Sequence, residues 1–353
     1  MPGLRVSNTV ETLAAAAGGR QAGAMTRTGL VLSAVLLLGC SLFTSPAQAL
    51  DGHGGSDYAF YQIDHDPGGC DREPYGVVNS YDKAPATIGA QLRQMYAAGQ
   101  RRLRIPLFHQ HGPDSGTVMD STGGKLSAKN RKNLAALLAA VKATGYQEIE
   151  VGFFPIGAAD PHDWTQWDES RYQENRSIVD DVRSVVRAAG LPYQLDLLNE
   201  GMPMSGQTVL RDYAKRLWQD YTAAHGKGDT VGFSMTVWIA DRARQIPDVY
   251  GGDVPNVFDV HLYGDDSNGD EYKQFVDAHN ELASQGYHQG WIIGEAYYDD
   301  ATAADGIARA IRDTGQVVFY LTQWQLSRGD GCADKTVDVA PPVSYGHYLA
   351  DGF

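Results

Sequence analysis

Two glutamates close apolar segments of the sequence and are the strongest candidates for chemistry. Glu200 ends the segment 194–200, and Glu295 ends the segment 291–295. A carboxylate at the end of an apolar parallel strand is costly to bury unless it faces a cavity that partners and solvent can reach. Two carboxylates in one cavity can act as a proton donor and an ionised partner, the pair that glycosidic cleavage requires. The alternative is an ion pair at the mouth of the fold.

Further motifs accompany the glutamates. Asn199 directly precedes Glu200, residues 104–106 read Arg-Ile-Pro, residues 259–263 read Asp-Val-His-Leu-Tyr, and Trp324 lies in the last apolar run. This combination resembles clan A of the glycoside hydrolases, whose members include families 5 and 39. The resemblance covers the whole chain after residue 49 at the level of pattern. It implies a closed (β/α)8 barrel (TIM barrel) that hydrolyses O-glycosyl bonds without a cofactor or a metal.

The resemblance also implies roles for the matching residues. Glu200 would be the acid/base and Glu295 the nucleophile of a retaining mechanism. Arg104 and Tyr263 would keep Glu295 ionised and oriented, because a nearby cation and a hydrogen-bond donor both favour the charged form of a carboxylate. Asn199 would bind the 2-hydroxyl of the sugar.

His261 would support the acid/base, Glu200. For two of these residues a purely structural role is also open: Arg104 can form a buried ion pair inside the barrel, and His261 can be a hydrogen-bonded core histidine.

Four tryptophans are candidate platforms for sugar rings, whose apolar faces stack on large aromatic surfaces. They are Trp324, Trp238, Trp164 and Trp167. For Trp164 and Trp167 ordinary packing is an equal alternative, because tryptophans in loops also anchor lids.

The elements that position these residues follow a regular alternation. Short β-rich runs alternate with longer amphipathic stretches, which is typical of a parallel sheet covered by helices. Eight such runs occur: Tyr58 to Asp64, Arg102 to His109, Glu148 to Gly157, Pro192 to Gly201, Thr230 to Trp238, Val257 to Gly264, Gly290 to Tyr298 and Gln316 to Leu326. Eight βα units in series favour a closed barrel, whereas an open doubly wound sheet would need a glycine-rich phosphate loop after an early strand. Barrel enzymes work at the carboxyl ends of their strands, where both glutamates fall.

The first 49 residues read as an extension and a secretory signal. A basic segment, 25–29, precedes the apolar run 30–38, and residues 47–49 form an Ala-x-Ala cleavage site. Translation is expected to start at Met25, and residues 50–353 form one catalytic barrel. The apolar run is too short for a membrane span. Residues 37–40 also resemble a lipobox, so lipoprotein anchoring through Cys40 is the alternative to soluble export.

The cysteines indicate a possible disulfide, and the charge content limits the possible partners. Cys70 and Cys332 flank the first and last runs, so we expect a disulfide between them, with two free thiols as the alternative. Removing residues 1–49 leaves 26 basic and 42 acidic residues, a net charge of about −16. Such a surface disfavours nucleic acid and anionic membranes as partners.

Parts of the sequence also fit two other functions, a metal-dependent hydrolase and a non-catalytic binding protein. His109-Gln110-His111 can place two metal ligands on one face of an extended segment, as in metal-dependent barrel hydrolases, although the fifth run ends without a histidine and the eighth without an aspartate. A non-catalytic carbohydrate-binding barrel would retain the tryptophans but not both glutamates. We therefore predict a monomeric, endo-acting hydrolase of an extracellular or cell-envelope polysaccharide.

Overall fold

The computed structural model describes residues 53–62, 75–265, 270–325 and 341–353. Eight parallel strands make up its barrel: β1 Gly54–Asp57, β2 Arg102–Gln110, β3 Glu148–Ile156, β4 Tyr193–Asp196, β5 Thr230–Gly232, β6 Val257–Leu262, β7 Gly290–Ala296 and β8 Val318–Gln323. A two-residue strand, Met119–Asp120, pairs with the end of β2. The (β/α)8 fold predicted from the sequence is confirmed.

The strands follow one another around the barrel in the order β5-β4-β3-β2-β1-β8-β7-β6. A parallel bridge between Met235 and Val260 joins β6 to the segment after β5. Backbone hydrogen bonds from Met235 N to Asp259 O (3.0 Å) and from His261 N to Met235 O (2.7 Å) form this bridge and close the ring.

Helices cover the outside of the barrel. They are α1 Pro85–Ala97, α2 Ala128–Thr144, α3 Glu169–Ala189, α4 Thr208–His225, α5 Ile239–Ala243, α6 Ile246–Tyr250, α7 Glu271–Ser284, α8 Ala301–Thr314 and α9 Gly346–Ala350. Asp168, Asp270 and Asp300 cap the first turns of α3, α7 and α8, where a side-chain oxygen satisfies free backbone N–H groups. Within the described residues, none of the helices has the length and hydropathy needed to cross a bilayer.

Strand β2 shows how the barrel separates apolar from polar side chains. Leu103, Ile105 and Leu107 are buried in the same hydrophobic core as residues of the surrounding helices. Arg104 alternates with them and reaches carboxylates from four other strands, so it points into the barrel. Side chains at the interior positions therefore build the site.

The first strand differs from its prediction. The sequence predicts this strand at Tyr58 to Asp64, whereas in the structure it is Gly54–Asp57. Residues 63 and 64 lie outside the described residues. A Cβ atom on Gly55 would collide with the Arg102 carbonyl, and one on Gly54 with the Tyr345 hydroxyl. Close packing therefore selects glycine in β1 and removes the apolar pattern on which the prediction depended.

The fourth and fifth strands are the most shortened relative to their predicted runs. The run Thr230 to Trp238 forms β5 only over Thr230–Gly232, and Pro192 to Gly201 forms β4 only over Tyr193–Asp196. The leader, Cys40, Cys70 and Cys332 lie outside the described residues. The disulfide and the secretory signal therefore stay predictions.

Candidate active site

Glu295 is held at the end of β7 by one partner on each carboxylate oxygen. Arg104 Nη1 donates to Oε1 at 2.6 Å, and the Tyr263 hydroxyl donates to Oε2 at 2.9 Å. Glu295 is only 5% exposed. Burial and proximity to Glu295 raise the pKa of Tyr263 well above its usual value, so the phenol keeps its proton and remains a donor. The structure brings together these three residues, which the sequence motifs had singled out. The roles assigned to them stay predictions.

Arg104 is fully buried and organises the floor of the site. Its guanidinium contacts Asp57 at 3.0 Å, Glu150 at 2.7 Å, Asp196 at 2.9 Å, Asn199 at 2.8 Å and Glu295 at 2.6 Å. Burial alone would lower the pKa of Arg104, but the carboxylates outweigh it and raise that pKa well above its usual value. The permanently charged guanidinium therefore holds both Glu295, the nucleophile candidate, and Asn199 in fixed positions.

Glu200 lies in the turn that follows β4 and has an unusual backbone. Its φ is +54°, in the left-handed region that non-glycine residues seldom occupy. The Ser234 hydroxyl oxygen accepts a hydrogen bond from Glu200 N at 2.6 Å and holds the turn in place. The Glu200 side chain is 35% exposed, in contrast to Glu295. Strained backbone of this kind is common at functional sites.

His261 lies between the two glutamates. Its Nδ1 atom is 3.3 Å from Glu200 Oε1 and 3.6 Å from Glu295 Oε1, and its Nε2 atom is 3.5 Å from Asp259. Burial would lower the pKa of His261, but Glu295 and Asp259 raise it well above its usual value. The imidazole therefore carries a positive charge at neutral pH.

The pKa of Glu200 differs from what a proton donor needs. Burial raises it, but hydrogen bonds from His261 and Thr236 outweigh burial and lower it to about 2. The chemistry of an acid instead calls for a raised pKa. The proton of the Glu200–His261 pair thus resides mainly on the imidazole, and the two side chains titrate as one unit.

The two candidate carboxylates are close in space. One oxygen of Glu200, one of Glu295 and a ring nitrogen of His261 all lie within 4.8 Å of one another. A separation of about 5 Å between carboxyl groups is typical of glycosidases in which one carboxylate attacks the sugar directly. The geometry is thus compatible with attack without an intervening water.

The mouth of the barrel carries a row of aromatic rings beside Glu200. Trp324, directly after β8, stacks on Phe154 at 6.0 Å, and Phe154 contacts Phe108 at 4.9 Å. Phe154 also lines a cavity of about 270 Å³ together with Asn199 and Glu200. These partly buried rings offer apolar faces next to the catalytic candidates, and the role of Trp324 as a sugar platform stays a prediction.

The other predicted tryptophans lie in two environments. Trp238 precedes α5 and is 52% exposed, which leaves its ring free for a ligand. Trp164 instead packs edge-on against Trp167 and Tyr213, and its indole donates to Ala158 O at 3.1 Å. Its contacts match those of a loop anchor.

The His-x-His pair has two separate sets of partners. His109 is buried, its Nδ1 atom lies 3.0 Å from Ser121 Oγ, and burial lowers its pKa to about 4. His111 pairs with Glu174 at 2.8 Å on the surface. The two imidazoles therefore bind different neighbours and do not converge.

Four interior acids had no role assigned from the sequence. Asp57, Glu150 and Asp196 surround Arg104, and Asp259 contacts His261. Burial is the largest cause that raises the pKa of Asp196, to about 6. The signal was present, since residues 149–151 and 195–197 each place an acid between two apolar residues. An isolated acid at an alternate position of an apolar strand indicates an interior layer.

Comparison with known proteins supports the fold. No protein-family model and no curated protein matches the sequence. Among solved structures, a GH5_18 variant from Streptomyces cattleya in complex with Manb1-4GlcNAc is 12% identical, with a TM-score of 0.53 over 84% of this chain and 80% of that one. A GH5-4 broad specificity endoglucanase from Clostridium longisporum is 12% identical, with a TM-score of 0.52 over 86% and 93%. A second GH5_18 variant, from Bifidobacterium longum, is 11% identical, with a TM-score of 0.53 over 84% and 77%. The chain therefore shares its barrel fold with family 5 glycoside hydrolases.

Proposed function

We propose that the protein is a retaining glycoside hydrolase that cleaves β-glycosidic bonds in an extracellular or cell-envelope polysaccharide. The observation that carries this proposal is the approach of Glu200 and Glu295 to within 4.8 Å across the barrel mouth. Their different surroundings support different roles: Glu295 is buried and held by two donors, whereas Glu200 is half-buried and shares a proton with His261.

The first step forms a covalent intermediate. A Glu295 oxygen attacks the anomeric carbon, the bond from that carbon to the bridging oxygen breaks, and the leaving oxygen takes a proton from Glu200. Glu295 is suited to attack because Arg104 and Tyr263 hold its carboxylate in one orientation. In the second step Glu200 removes a proton from water, and the resulting hydroxide displaces Glu295 with net retention.

The pair of Glu200 and His261 supplies the proton. In the free protein it resides on the imidazole, 3.3 Å from Glu200 Oε1. A bound sugar excludes water from the exposed part of Glu200, which raises the pKa of that carboxyl and shifts the proton toward it. Once Glu295 is esterified, its negative charge is gone, and Glu200 acts as the base.

An endo mode of action on a β-linked polymer fits the rest of the structure. The aromatic row and Trp238 lie on different loops of the barrel mouth, so they are suited to several sugars of one chain. Export as a monomer without a cofactor completes the proposal. Structures with the same fold include a broad specificity endoglucanase and a complex with a β-1,4-linked mannosyl sugar.

The test is hydrolysis of a panel of β-linked polysaccharides, with the product anomers followed by NMR. Initial products with the β configuration and a mixture of oligosaccharides are expected. Glu295→Gln and Glu200→Gln should each lower turnover by orders of magnitude with an unchanged melting temperature, and azide should rescue only the Glu200 variant. Full activity in either variant, or initial α products, contradicts the mechanism.

A further inference from the structure

A second cavity, of about 250 Å³, lies between the segment after β5 and the start of α7. Two contacts connect it to the catalytic candidates. Gln274 lines the cavity and accepts a hydrogen bond from Tyr263 N at 3.0 Å, and the hydroxyl of Tyr263 holds Glu295. Asp241, also in the lining, accepts one from Ser205 N at 3.1 Å, in the loop that follows Glu200.

Trp238 presents its ring at this cavity. Its backbone has a φ of +61° and is fixed on both sides. Asp265 Oδ1 accepts a hydrogen bond from Trp238 N at 2.7 Å, and the Trp238 carbonyl accepts one from Asp241 N at 2.9 Å. A large apolar side chain that is 52% exposed on so rigid a backbone is well placed for a ligand.

Gln274 carries an unused hydrogen-bond donor at the same place. The residue is only 1% exposed, and its Oε1 atom accepts from the backbone of Tyr263 and Gly264. Its Nε2 atom has no partner among the described residues. Buried donors in native proteins are nearly always satisfied, so an acceptor supplied by a ligand fits here.

The lining has an excess of negative charge. Lys273 is taken up by an ion pair with Asp277, and Arg244 pairs with Glu281, outside the cavity, at 3.0 Å. Arg244 comes only within 4.0 Å of Asp241. Three lining carboxylates, Asp241, Asp265 and Asp270, therefore have no ion pair shorter than 4.0 Å among the described residues. A neutral sugar can only hydrogen-bond to these carboxylates, whereas an ammonium group also gains attraction to their charge.

We propose that this cavity is a subsite for a sugar that carries a protonated amine, and that the substrate is a β-linked polysaccharide containing unacetylated 2-amino-2-deoxy sugars. The place of the subsite along the substrate rests on the proposed hydrolase function. The ring stacks on Trp238, a hydroxyl accepts from Gln274, and the ammonium faces the three carboxylates. Indole also attracts a cation held over its face.

Calorimetric titration of the Glu295→Gln protein, which binds without cleaving, tests this proposal. The probes are the β-1,4-linked tetramer of glucosamine, its fully N-acetylated form, and cellotetraose, at about pH 6 so that the free amines are protonated. The glucosamine tetramer should bind at least tenfold more tightly than the other two. Its advantage should shrink with added salt, because screening weakens exposed charge pairs.

Two variants locate the binding. Asp265→Asn with Asp270→Asn removes two charges but keeps both acceptors for backbone N–H groups, and it should abolish the preference for the amine. Trp238→Asn removes the ring at a left-handed position that asparagine tolerates, and it should weaken binding about threefold to tenfold. The matched control is Asp212→Asn with Asp305→Asn, two exposed sites on α4 and α8, which should change nothing.

Three results would overturn the subsite: equal affinity for the three probes, a preference that survives in the double variant, or calcium binding that displaces the glucosamine tetramer. Failure of the proposed function looks different. Tight, charge-dependent binding of the tetramer, without cleavage of any β-glycan by the wild-type protein, would retain the subsite and reject the hydrolase. Cleavage of a β-glycan by the wild-type protein, together with equal binding of the three probes, would retain the hydrolase and reject the subsite.

Discussion

The Nδ1 atom of His261 lies 3.3 Å from Glu200 and 3.6 Å from Glu295, so one imidazole contacts both candidate catalytic carboxylates. It is fully buried, and its other nitrogen faces Asp259. In the proposed mechanism the proton needed by the leaving group is therefore held by a pair of side chains, and we expect their combined titration, and not that of a lone glutamic acid, to set the pH range of activity.

The His261→Gln variant should lose activity at high pH first. In the wild-type protein the raised pKa of His261 keeps one proton on the pair well above neutrality. Without the imidazole, only the carboxyl of Glu200 can hold it, and a carboxyl loses its proton at lower pH. The alkaline limb of kcat/KM should therefore move down by more than about one pH unit. His225→Gln, which breaks a surface pair with Asp180, is the control, and an unmoved limb in the His261 variant contradicts the shared proton.

Tyr263→Phe should lower kcat about tenfold to a hundredfold, because a hydrogen bond to a charged group contributes about 1.5–3 kcal/mol. The ring stays, so the melting temperature should change little. Tyr297→Phe is the matched control, since among the described residues its hydroxyl donates to the Tyr263 carbonyl, at 3.2 Å, and not to Glu295. Equal kcat values in the two variants would argue against a direct role of the Tyr263 hydroxyl at Glu295.

Trp324→Ala and Trp164→Ala should separate binding from packing. Trp324 stacks at the barrel mouth, and its loss should raise KM with little change in stability. Trp164 packs on Tyr213 in the core, and its loss should lower the free energy of unfolding by about 2 kcal/mol, less than for a fully buried tryptophan. Urea unfolding and initial rates on a soluble glycan measure both quantities. A raised KM for Trp164→Ala with a lowered free energy of unfolding for Trp324→Ala would instead indicate that Trp164 binds the sugar.

Glu271→Gln should stabilise the protein above neutral pH. Burial, with Asp300 and Asp270 nearby, raises the pKa of Glu271 from 4.5 to about 7. The folded chain therefore holds a proton that the unfolded chain releases between these values, and the free energy of unfolding falls as pH rises through this window. Glutamine does not titrate, so the gain in free energy of unfolding from the substitution should grow from pH 4.5 to pH 8 and reach on the order of 2 kcal/mol, as measured by thermal melting at each pH. A constant difference would contradict the assignment.

Periodic residues made much of the fold predictable. Seven strands were found near their places because each carries apolar side chains at the interior or helix-facing positions. Strand β1 was missed, since Gly54 and Gly55 pack against backbone and a tyrosine and leave no hydrophobic signal. A local sequence pattern does not show where close packing of the backbone requires glycine.

The sequence predicted which side chains at strand ends converge in the site. It did not predict properties, such as a pKa, that depend on the distance between two side chains. Arg104, Tyr263 and Glu295 converge as their motifs indicated. The low pKa of Glu200 was not foreseen, because it depends on the 3.3 Å separation from His261. The free amide of Gln274 could not be inferred either, since an unpaired donor is a property of three-dimensional surroundings.

The left-handed backbone of Glu200 sets a limit on how this protein can be stabilised. A φ of +54° is strained for glutamate and easy for glycine or asparagine. Selection for thermal stability alone would therefore favour replacement of the residue that we propose moves the proton. If that role is correct, a library screened only for survival on heating should be enriched in inactive variants at position 200.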